Sequence, residues 1–316
     1  MAEIDCATGM SDAEMPRPPG FVRFSVPHKR VVSAPRLCYV CNIAAPFIGA
    51  LTAERSARSR LNTGVALGLL IQFQHQQSNI RKLQTVLSLS DEERAAILAL
   101  PLDEREVRAR QEIVREGDRP TRSFVILEGV ACAFKLTGEA KRQILAFHIA
   151  GDMPDLQSLH LETLDISIAT ISASRVGFIP HAALRHLCER NTRVAAALWR
   201  ETLVYASVFR EWMTNIGQRE ALSRAAHLMC EYVVRMRAMG LAEDHSCQIP
   251  MTQDDLGDAM GISTVHVNRV LQELRRLGLI KLGSGNLTVL DWERLKAVGD
   301  FDSGYLHLRR AEPATA

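Results

Sequence analysis

Aromatic side chains, charge of one sign and long apolar runs are all scarce in this chain of 316 residues. Aromatic residues make up 5% of it and the formal net charge is +2, so affinity for a polyanion has to come from a local patch. The longest apolar runs, at 43–51 and 65–71, are far shorter than the roughly 20 residues that span a bilayer. Glu3 and Asp5 precede the first arginine, so no basic-then-apolar leader opens the chain. We therefore expect a cytoplasmic protein without a membrane span.

The cysteine pattern of a disulfide-bonded protein is missing as well. The chain has seven cysteines, an odd number, and they are widely spread: Cys6, Cys38, Cys41, Cys132, Cys188, Cys230 and Cys247. Small secreted scaffolds carry closely spaced pairs, whereas a reducing compartment leaves thiols free. Hydrophobic residues make up 47% of the chain, which is enough for the cores of two domains.

The most informative segment is 252–282, which predicts two helices joined by a tight turn. Thr252 and Asp255 have the spacing of a capping box at the start of the first helix. Gly261 allows a left-handed turn, and Ser263 can cap the second helix. An apolar face recurs on that second helix at helical spacing: Val267, Val270, Leu271, Leu274 and Leu277. This pattern is typical of a helix-turn-helix that reads DNA.

The opposite face of the second helix predicts the contacts with DNA. Arg269 suits a bidentate contact with guanine O6 and N7, and Asn268 suits adenine N6 and N7. Val265 offers an apolar patch for a thymine methyl group, and Thr264 completes the predicted base-reading set. The predicted contacts with the DNA backbone are Thr252, Ser263, His266, Arg275, Arg276 and Lys281. The alternative interpretation is an ordinary amphipathic helix with a solvated charged face.

A hairpin pattern directly follows these two helices. Residues 279–282 and 287–290 alternate in the manner of short strands, and a Gly-Ser-Gly-Asn turn separates them. The hairpin makes the unit a winged helix-turn-helix and favours DNA reading over the amphipathic alternative.

Short β-rich segments punctuated by glycine occupy residues 104–180. They lie at 112–114, 123–127, 130–134, 144–149 and 166–171. Such regular spacing predicts a small antiparallel barrel or jelly roll. Ser90 and Glu93 form a further capping box, which predicts a short helix ending near Pro101.

Residues 182–240 are predicted to be helical, and part of this stretch has the spacing of a coiled-coil seam. The seam consists of Leu198, Thr202, Tyr205, Phe209, Trp212 and Ile216. We expect it to join two copies of the chain, because three aromatic side chains on one face need a partner surface. The alternative is that these residues pack on the barrel of the same chain.

These patterns define an α+β fold in five parts. Residues 1–78 are interrupted by prolines and predict a disordered extension, unless the functional protein begins near Ile80. The other parts are the β-roll with flanking helices (79–189), the dimerisation helix and hinge (190–218), the winged helix-turn-helix (219–297) and a C-terminal tail (298–316).

From about Ile80 to Trp292 the chain resembles the Crp/Fnr superfamily of bacterial transcription regulators. The specific points are Ile-Val-Arg-Glu-Gly-Asp at 113–118, Phe-Val-Ile-Leu-Glu-Gly at 124–129 and Ile-Ser-Thr-Val-His-Val-Asn-Arg at 262–269. The resemblance implies a jelly roll like that of cyclic-nucleotide-binding domains and a homodimer along the long helix. It also implies recognition helices in successive major grooves of a palindromic site, and RNA polymerase as a further partner. Arg269 matches the family's guanine-contacting arginine.

The resemblance does not extend to the cyclic-nucleotide contacts. Family members that bind a cyclic nucleotide use Gly-Glu for the ribose, and Arg followed by a small hydroxyl residue for the phosphate. Here the matching pairs are Pro154-Asp155 and Asp165-Ile166. In the effector pocket that the resemblance implies, Asp155 suits a ribose hydroxyl, whereas Asp165 would repel an anion. We expect that cyclic AMP is not the effector.

An iron–sulfur cluster is the other cofactor that the resemblance raises. Cys38, Cys41 and Cys132, with Cys6 as a further candidate, superficially offer four thiolates. The first pair lies well before the recognisable domain, in a segment that we expect to be disordered. We therefore expect no cluster, and we assign no histidine to a metal.

Three functions follow from these observations. The leading one is a sequence-specific transcription regulator that acts as a homodimer and responds to an effector. The second is a regulator that binds DNA without an effector, its β-roll being only a dimer platform. The third is a cupin-like enzyme fused to a helix-turn-helix, which needs several metal ligands in the barrel. The histidines of residues 104–180 are His148 and His160, which are too far apart in the sequence to form such a ligand cluster. We therefore expect that the protein is not an enzyme.

Overall fold

A computed structural model describes residues 79–85 and 88–309 of the chain. The predicted disordered extension at 1–78 lies outside these residues. Helix α1, Asp91–Leu98, begins with the expected capping box, in which Glu93 N donates to Ser90 Oγ at 3.2 Å. In return Glu93 Oε2 accepts from Ser90 N at 2.7 Å. This helix leads into the first strand of the β-roll.

Seven antiparallel strands form the β-roll. They are β1 (Asp103–Val107), β2 (Glu112–Val114), β3 (Arg122–Glu128), β4 (Val130–Leu136), β5 (Arg142–Ile149), β6 (Ser167–Thr170) and β7 (Ser174–Pro180). One sheet has the order β1-β7-β3 and the other has the order β2-β6-β4-β5. The expected roll is confirmed, with β1 and β7 added to the five predicted strands.

Strand β3 is apolar along most of its length because both of its faces are covered. Phe124 and Ile126 belong to the core between the two sheets, whereas Val125 and Leu127 pack against helices outside the roll. A strand that is buried on both sides carries a continuous apolar run instead of alternating polar residues. The roll therefore has an inner core and a second, helix-covered core.

The longest helix is α3, Thr192–Gln218, which spans 27 residues and follows α2, His181–Arg190. One of its faces is buried within the same chain. Trp212 Nε1 donates to Glu231 Oε2 at 2.9 Å, and the Trp212 ring lies edge-on to Phe147 with 5.7 Å between ring centroids. The Tyr205 ring packs in the same manner on His148 at 5.2 Å.

The predicted dimer seam is therefore wrong at three of its six residues, which pack within the same chain. Leu198 and Trp212 are buried and Tyr205 packs on the roll, so the alternative of packing within one chain applies to these three residues. Thr202 is half-buried, and Phe209 and Ile216 are exposed. A second set of apolar residues on α3 begins at Trp199, the residue after Leu198, and faces outward. This α3 stripe consists of Trp199, Leu203, Phe209, Met213 and Ile216.

The C-terminal unit is a winged helix-turn-helix. Its elements are α4 (Ala221–Ala238), β8 (Ala242–Glu243), β9 (Ser246–Gln248), α5 (Gln253–Met260), α6 (Thr264–Arg276), β10 (Ile280–Gly283), β11 (Asn286–Val289) and α7 (Trp292–Gly299). Strands β10 and β11 pair as the expected hairpin, with Ile280 opposite Val289 and Leu282 opposite Leu287. Strands β8 and β9 extend the wing to four strands in the order β10-β11-β9-β8.

The residues after α7 are not a loose tail. A 3-10 turn at Ser303–Leu306 packs back on the unit, and Phe301 and Leu306 are buried in its core. Tyr305 Oη donates to Glu231 Oε2 at 2.8 Å. The predicted tail at 298–316 is thus wrong as far as Arg309, because apolar side chains that follow α7 complete the core.

A buried ionic cluster joins the roll to α4. Arg235 Nη2 lies 2.8 Å from Asp152 Oδ2, and Arg235 Nη1 donates to the Phe147 carbonyl oxygen at 2.8 Å. Lys82 Nζ lies 3.0 Å from the other oxygen of Asp152. The Asp152 side chain is fully buried and that of Arg235 is 7% exposed, so these charges compensate each other inside the protein.

None of the helices in the part of the chain that the structure describes is both long enough and apolar enough to cross a membrane.

Candidate nucleic-acid interface

The turn between α5 and α6 has the geometry that the sequence predicts. Asp255 N donates to Thr252 Oγ1 at 3.2 Å and Thr252 N donates to Asp255 Oδ2 at 2.9 Å, which completes the capping box. Gly261 ends α5 with φ of +66°, in the left-handed region that favours glycine. His266 N donates to Ser263 Oγ at 3.3 Å and thereby starts α6. Local residues thus set where α5 begins and ends and where α6 begins.

Helix α6 has one buried and one exposed face. Its buried residues are Val267, Val270, Leu271 and Leu274, while Leu277 just beyond its end is half-buried. The four residues predicted to read bases (Thr264, Val265, Asn268 and Arg269) are all exposed on its first turns. Val265 is 63% exposed although it is apolar. The structure thus places this set together on the outward side of the helix.

Two residues at the start of α5 contact that set and were missed by the sequence reasoning. Thr264 Oγ1 donates to Asp254 Oδ1 at 2.7 Å. Asn268 Nδ2 donates to Gln253 Oε1 at 3.3 Å. Only the packing of α5 against α6 brings these pairs together, so spacing along the sequence could not have shown them.

The residues predicted to contact the DNA backbone differ in their surroundings. Ser263, His266, Arg275 and Lys281 are exposed. Arg276 forms two hydrogen bonds of 2.7 Å each with Glu273, so a phosphate would have to compete with this carboxylate. Thr252 Oγ1 donates its only proton to Asp255 Oδ2 at 2.7 Å, which leaves no hydroxyl proton for a phosphate.

The first helix of the motif is attached to the roll by what we call the Asp255 joint, formed by Arg110, Arg142, Asp255 and Asp258. Asp255 Oδ1 accepts from Arg142 Nη2 at 2.8 Å, and Asp255 Oδ2 accepts from Arg110 Nη2 at 2.9 Å. Arg142 Nε also donates to Asp258 Oδ2 at 2.7 Å. The Asp255 side chain is fully buried, so both of its oxygens depend on these partners.

The Asp255 joint should lose strength in acid. Burial alone would raise the pKa of Asp255, but hydrogen bonds from Arg110, Thr252 and Arg142 outweigh burial and lower it from 3.8 to about 2. Since the folded pKa is depressed, the stabilisation is fully present above pH 3.8 and disappears as the pH falls through about 2.

Thermal unfolding of Asp255→Asn should show a lower midpoint than the parent near neutral pH and a weaker pH dependence below 3.8. Parallel curves for the two proteins in that acid range would contradict this.

The two residues predicted to line an effector pocket do not share one in this structure. Asp155 is fully buried, and its Oδ1 accepts from Phe124 N at 3.0 Å. Burial raises the pKa of Asp155 to about 7 although that hydrogen bond acts in the opposite direction. Asp165 is exposed at the surface. The sequence gives no sign that the carboxylate of Asp155 turns inward and accepts a hydrogen bond from the backbone of β3.

Of the cysteines considered for an iron–sulfur cluster, only Cys132 lies among the described residues. It is buried in β4, and burial raises the pKa of its thiol to about 12. Cys6, Cys38 and Cys41 lie outside the described residues. Within 79–85 and 88–309, no group of three or more His, Cys, Asp or Glu side chains is placed to hold a metal ion.

A β-roll, a long helix and a winged helix-turn-helix with an exposed reading face define a two-domain DNA-binding protein. Comparison with known proteins agrees. Residues 223–298 match the Crp-like helix-turn-helix domain and residues 104–191 match the cyclic nucleotide-binding domain. The nitrogen fixation regulation protein FixK of Bradyrhizobium diazoefficiens is 27% identical over 59% of this chain and 77% of its own length. The transcriptional activator protein Anr of Pseudomonas aeruginosa is 24% identical over 57% of this chain and 73% of its own.

Solved structures share the fold. FixK2 from Bradyrhizobium japonicum superimposes with a TM-score of 0.57 at 24% identity, over 63% of this chain and 98% of FixK2. A Crp-family transcriptional regulator from Thermus thermophilus gives a TM-score of 0.50 at 17% identity, over 62% of this chain and 97% of that one. The chain belongs to the Crp/Fnr superfamily and is a transcription regulator with a helix-turn-helix DNA-binding domain.

Proposed function

We propose that this regulator acts as a homodimer on a twofold-symmetric DNA site, with one α6 in each of two successive major grooves. The observation that carries the proposal is the outward face of α6. It presents Thr264, Asn268 and Arg269 at the surface while the opposite face is buried in the wing unit. Hydrogen-bonding side chains on the first turns of such a helix are positioned to meet base edges.

The α3 stripe supports the proposed dimer. Trp199 is 69% exposed, Leu203 is 54% exposed and Met213 is 60% exposed. Trp199 and Leu203 are four residues apart, Phe209 and Met213 are four apart, and Met213 and Ile216 are three apart, so neighbouring members lie on one face of the helix as in a seam between two helices. A second copy of α3 is the occupant that fits, since a twofold-symmetric interface uses the same apolar surface on both copies.

Two proposals concern the effector. The leading one is that a ligand other than cyclic AMP, or a redox state, biases the geometry of the reading helices. The second is that the regulator binds DNA without an effector, and the buried Asp155 favours it because a fully covered carboxylate offers nothing to a ribose. Calorimetry against a panel of metabolites, including cyclic AMP, separates the two. Binding heat with a ligand other than cyclic AMP supports the first, and tight operator binding with no such heat, equal under oxidising and reducing conditions, supports the second.

The remaining parts of the proposal are partners, compartment and chemistry. The relative from Pseudomonas aeruginosa is named a transcriptional activator, and we propose contact with RNA polymerase for this chain too. Because DNA and RNA polymerase are the proposed partners, we propose that the protein acts in the cytoplasm. We propose neither an iron–sulfur cofactor nor a catalytic activity.

Arg269 gives the most direct test of base reading. Arg269→Ala should weaken binding to the selected site by about 1–3 kcal/mol and relax the preference at one base pair, because a bidentate guanine contact is lost. The site is obtained by selecting bound fragments from genomic DNA, and the preference is measured by titrating single-base variants of it.

Arg275→Gln serves as the matched control on the same helix. Arg275 lies in the last turn, so its loss should weaken all sequences about equally and reduce the salt dependence of binding. If Arg269→Ala bound as tightly and as selectively as the parent, α6 would not be the base-reading element.

A further inference from the structure

Two hydrogen bonds cross from the first turn of α5 to the exposed face of α6. One joins Thr264 to Asp254 and the other joins Asn268 to Gln253. Asp254 and Thr264 are exposed, so these contacts lie at the surface that meets DNA and not in the core. Each contact occupies a hydrogen-bond donor of a predicted base-reading side chain in the absence of DNA. Fewer donors of that side chain are then free to bind a base.

The contact of Thr264 fixes the direction of its hydroxyl group. A threonine hydroxyl has one proton to donate and two lone pairs that accept. The 2.7 Å bond from Thr264 Oγ1 to Asp254 Oδ1 uses that proton, because a carboxylate only accepts. Thr264 therefore presents lone pairs alone to the major groove. Cytosine N4 and adenine N6 donate there, whereas guanine O6 and N7 and thymine O4 accept.

In the contact between Asn268 and Gln253, the Asn268 amide is the donor and the Gln253 amide is the acceptor. One of the two amide protons points to Gln253 Oε1 at 3.3 Å. The other proton and the Asn268 carbonyl oxygen remain, and this is the donor–acceptor pair that matches adenine N7 and N6. A freely rotating amide could turn its NH2 group toward guanine instead, whose edge offers two acceptors.

We propose that Asp254 and Gln253 are positioning residues that set the base preference of α6 without reading a base themselves. Asp254 makes Thr264 select cytosine or adenine over guanine or thymine, and Gln253 makes Asn268 select adenine over guanine. This inference rests on the proposed base-reading role of α6 and adds the reason why each side chain prefers its base.

Asp254→Asn tests the first pair through two effects of opposite direction. An asparagine can donate to Thr264 as well as accept from it, so discrimination at the base that faces Thr264 should fall roughly threefold to tenfold. Removal of a negative charge near the phosphates should at the same time tighten binding to every sequence, by about twofold to fivefold. In a Thr264→Val background, Asp254→Asn should retain only the general tightening. A change of base preference in that background would overturn the assignment of Asp254.

The second pair is tested by two substitutions of similar length. A carboxylate only accepts, whereas the Gln253 amide can also donate, so Gln253→Glu should keep the preference for adenine over guanine at or above that of the parent, while overall affinity falls because of the added charge. Gln253→Met removes the acceptor, and the preference should fall roughly threefold to tenfold. Equal preferences in the two variants would overturn the assignment of Gln253.

Arg269→Ala, measured on the same set of single-base operator variants, separates this inference from the proposed function. If it loses selectivity while Asp254→Asn and Gln253→Met keep every preference of the parent within twofold, the positioning role is wrong and base reading by α6 stands. If all three variants keep the parent preferences, base reading by α6 is wrong as well.

Discussion

Replacing Leu203 with glutamate should leave the protein monomeric and remove its binding to a twofold-symmetric site. Leu203 is 54% exposed in the α3 stripe, and a homodimer would bury it twice. Each buried leucine contributes about 1.5–3 kcal/mol, and a carboxylate in its place would lie unpaired in an apolar interface. We expect the dissociation constant of the dimer to rise by at least about 100-fold. Sedimentation velocity at several concentrations measures the change.

Leu161→Glu is the matched control for this experiment. Leu161 is 51% exposed, almost as much as Leu203, but it lies in the roll outside the α3 stripe. The control should sediment as the parent does and bind the operator unchanged. A Leu203 variant that stays dimeric would show that the two copies meet on another surface.

Loss of Arg235 should produce the largest drop in stability. The guanidinium reaches Asp152, Glu231 and the Phe147 carbonyl oxygen inside the protein. Arg235→Met would leave those acceptors buried with fewer donors, and removal of one partner from a buried ion pair costs about 3–5 kcal/mol. The free energy of unfolding from denaturant titration should fall by that amount.

Arg237→Met provides the comparison on the same helix. The Arg237 side chain is exposed and donates to the His245 ring at 3.1 Å, so its loss should change stability by less than about 1 kcal/mol. An Arg235 variant as stable as the Arg237 variant would mean that Lys82 alone compensates Asp152.

The helix-turn-helix was predictable because its determinants are local. The capping residues Thr252 and Ser263 and the turn residue Gly261 lie next to the elements that they start or end. Strand β1 was missed because its sequence carries no apolar pattern. Val107 is its one buried residue, and the four residues before it are charged. Strand β7 was missed because Gly177 and Pro180 interrupt it, and its place between β1 and β3 comes from long-range pairing.

The spacing of apolar residues along α3 could not predict which of its faces is covered within the chain. Helix α3 carries apolar residues on two adjoining faces, and pairs of residues three or four apart occur on both. Only the position of the roll and of α4 decides that Trp212 is covered while Met213, the next residue, is not. The inward turn of Asp155 and the pairing of Asp254 with Thr264 depend on tertiary packing in the same way.

The Asp255 joint has a consequence for the operator itself. Because Arg110 and Arg142 of the roll hold α5, the distance between the two α6 helices of the proposed dimer should depend on how each roll packs against its long helix. We expect such a dimer to bind one centre-to-centre spacing of the half-sites and to bind poorly when a single base pair is inserted between them. Loosening the joint at Arg110 and Arg142 would broaden the range of operator lengths that the protein tolerates.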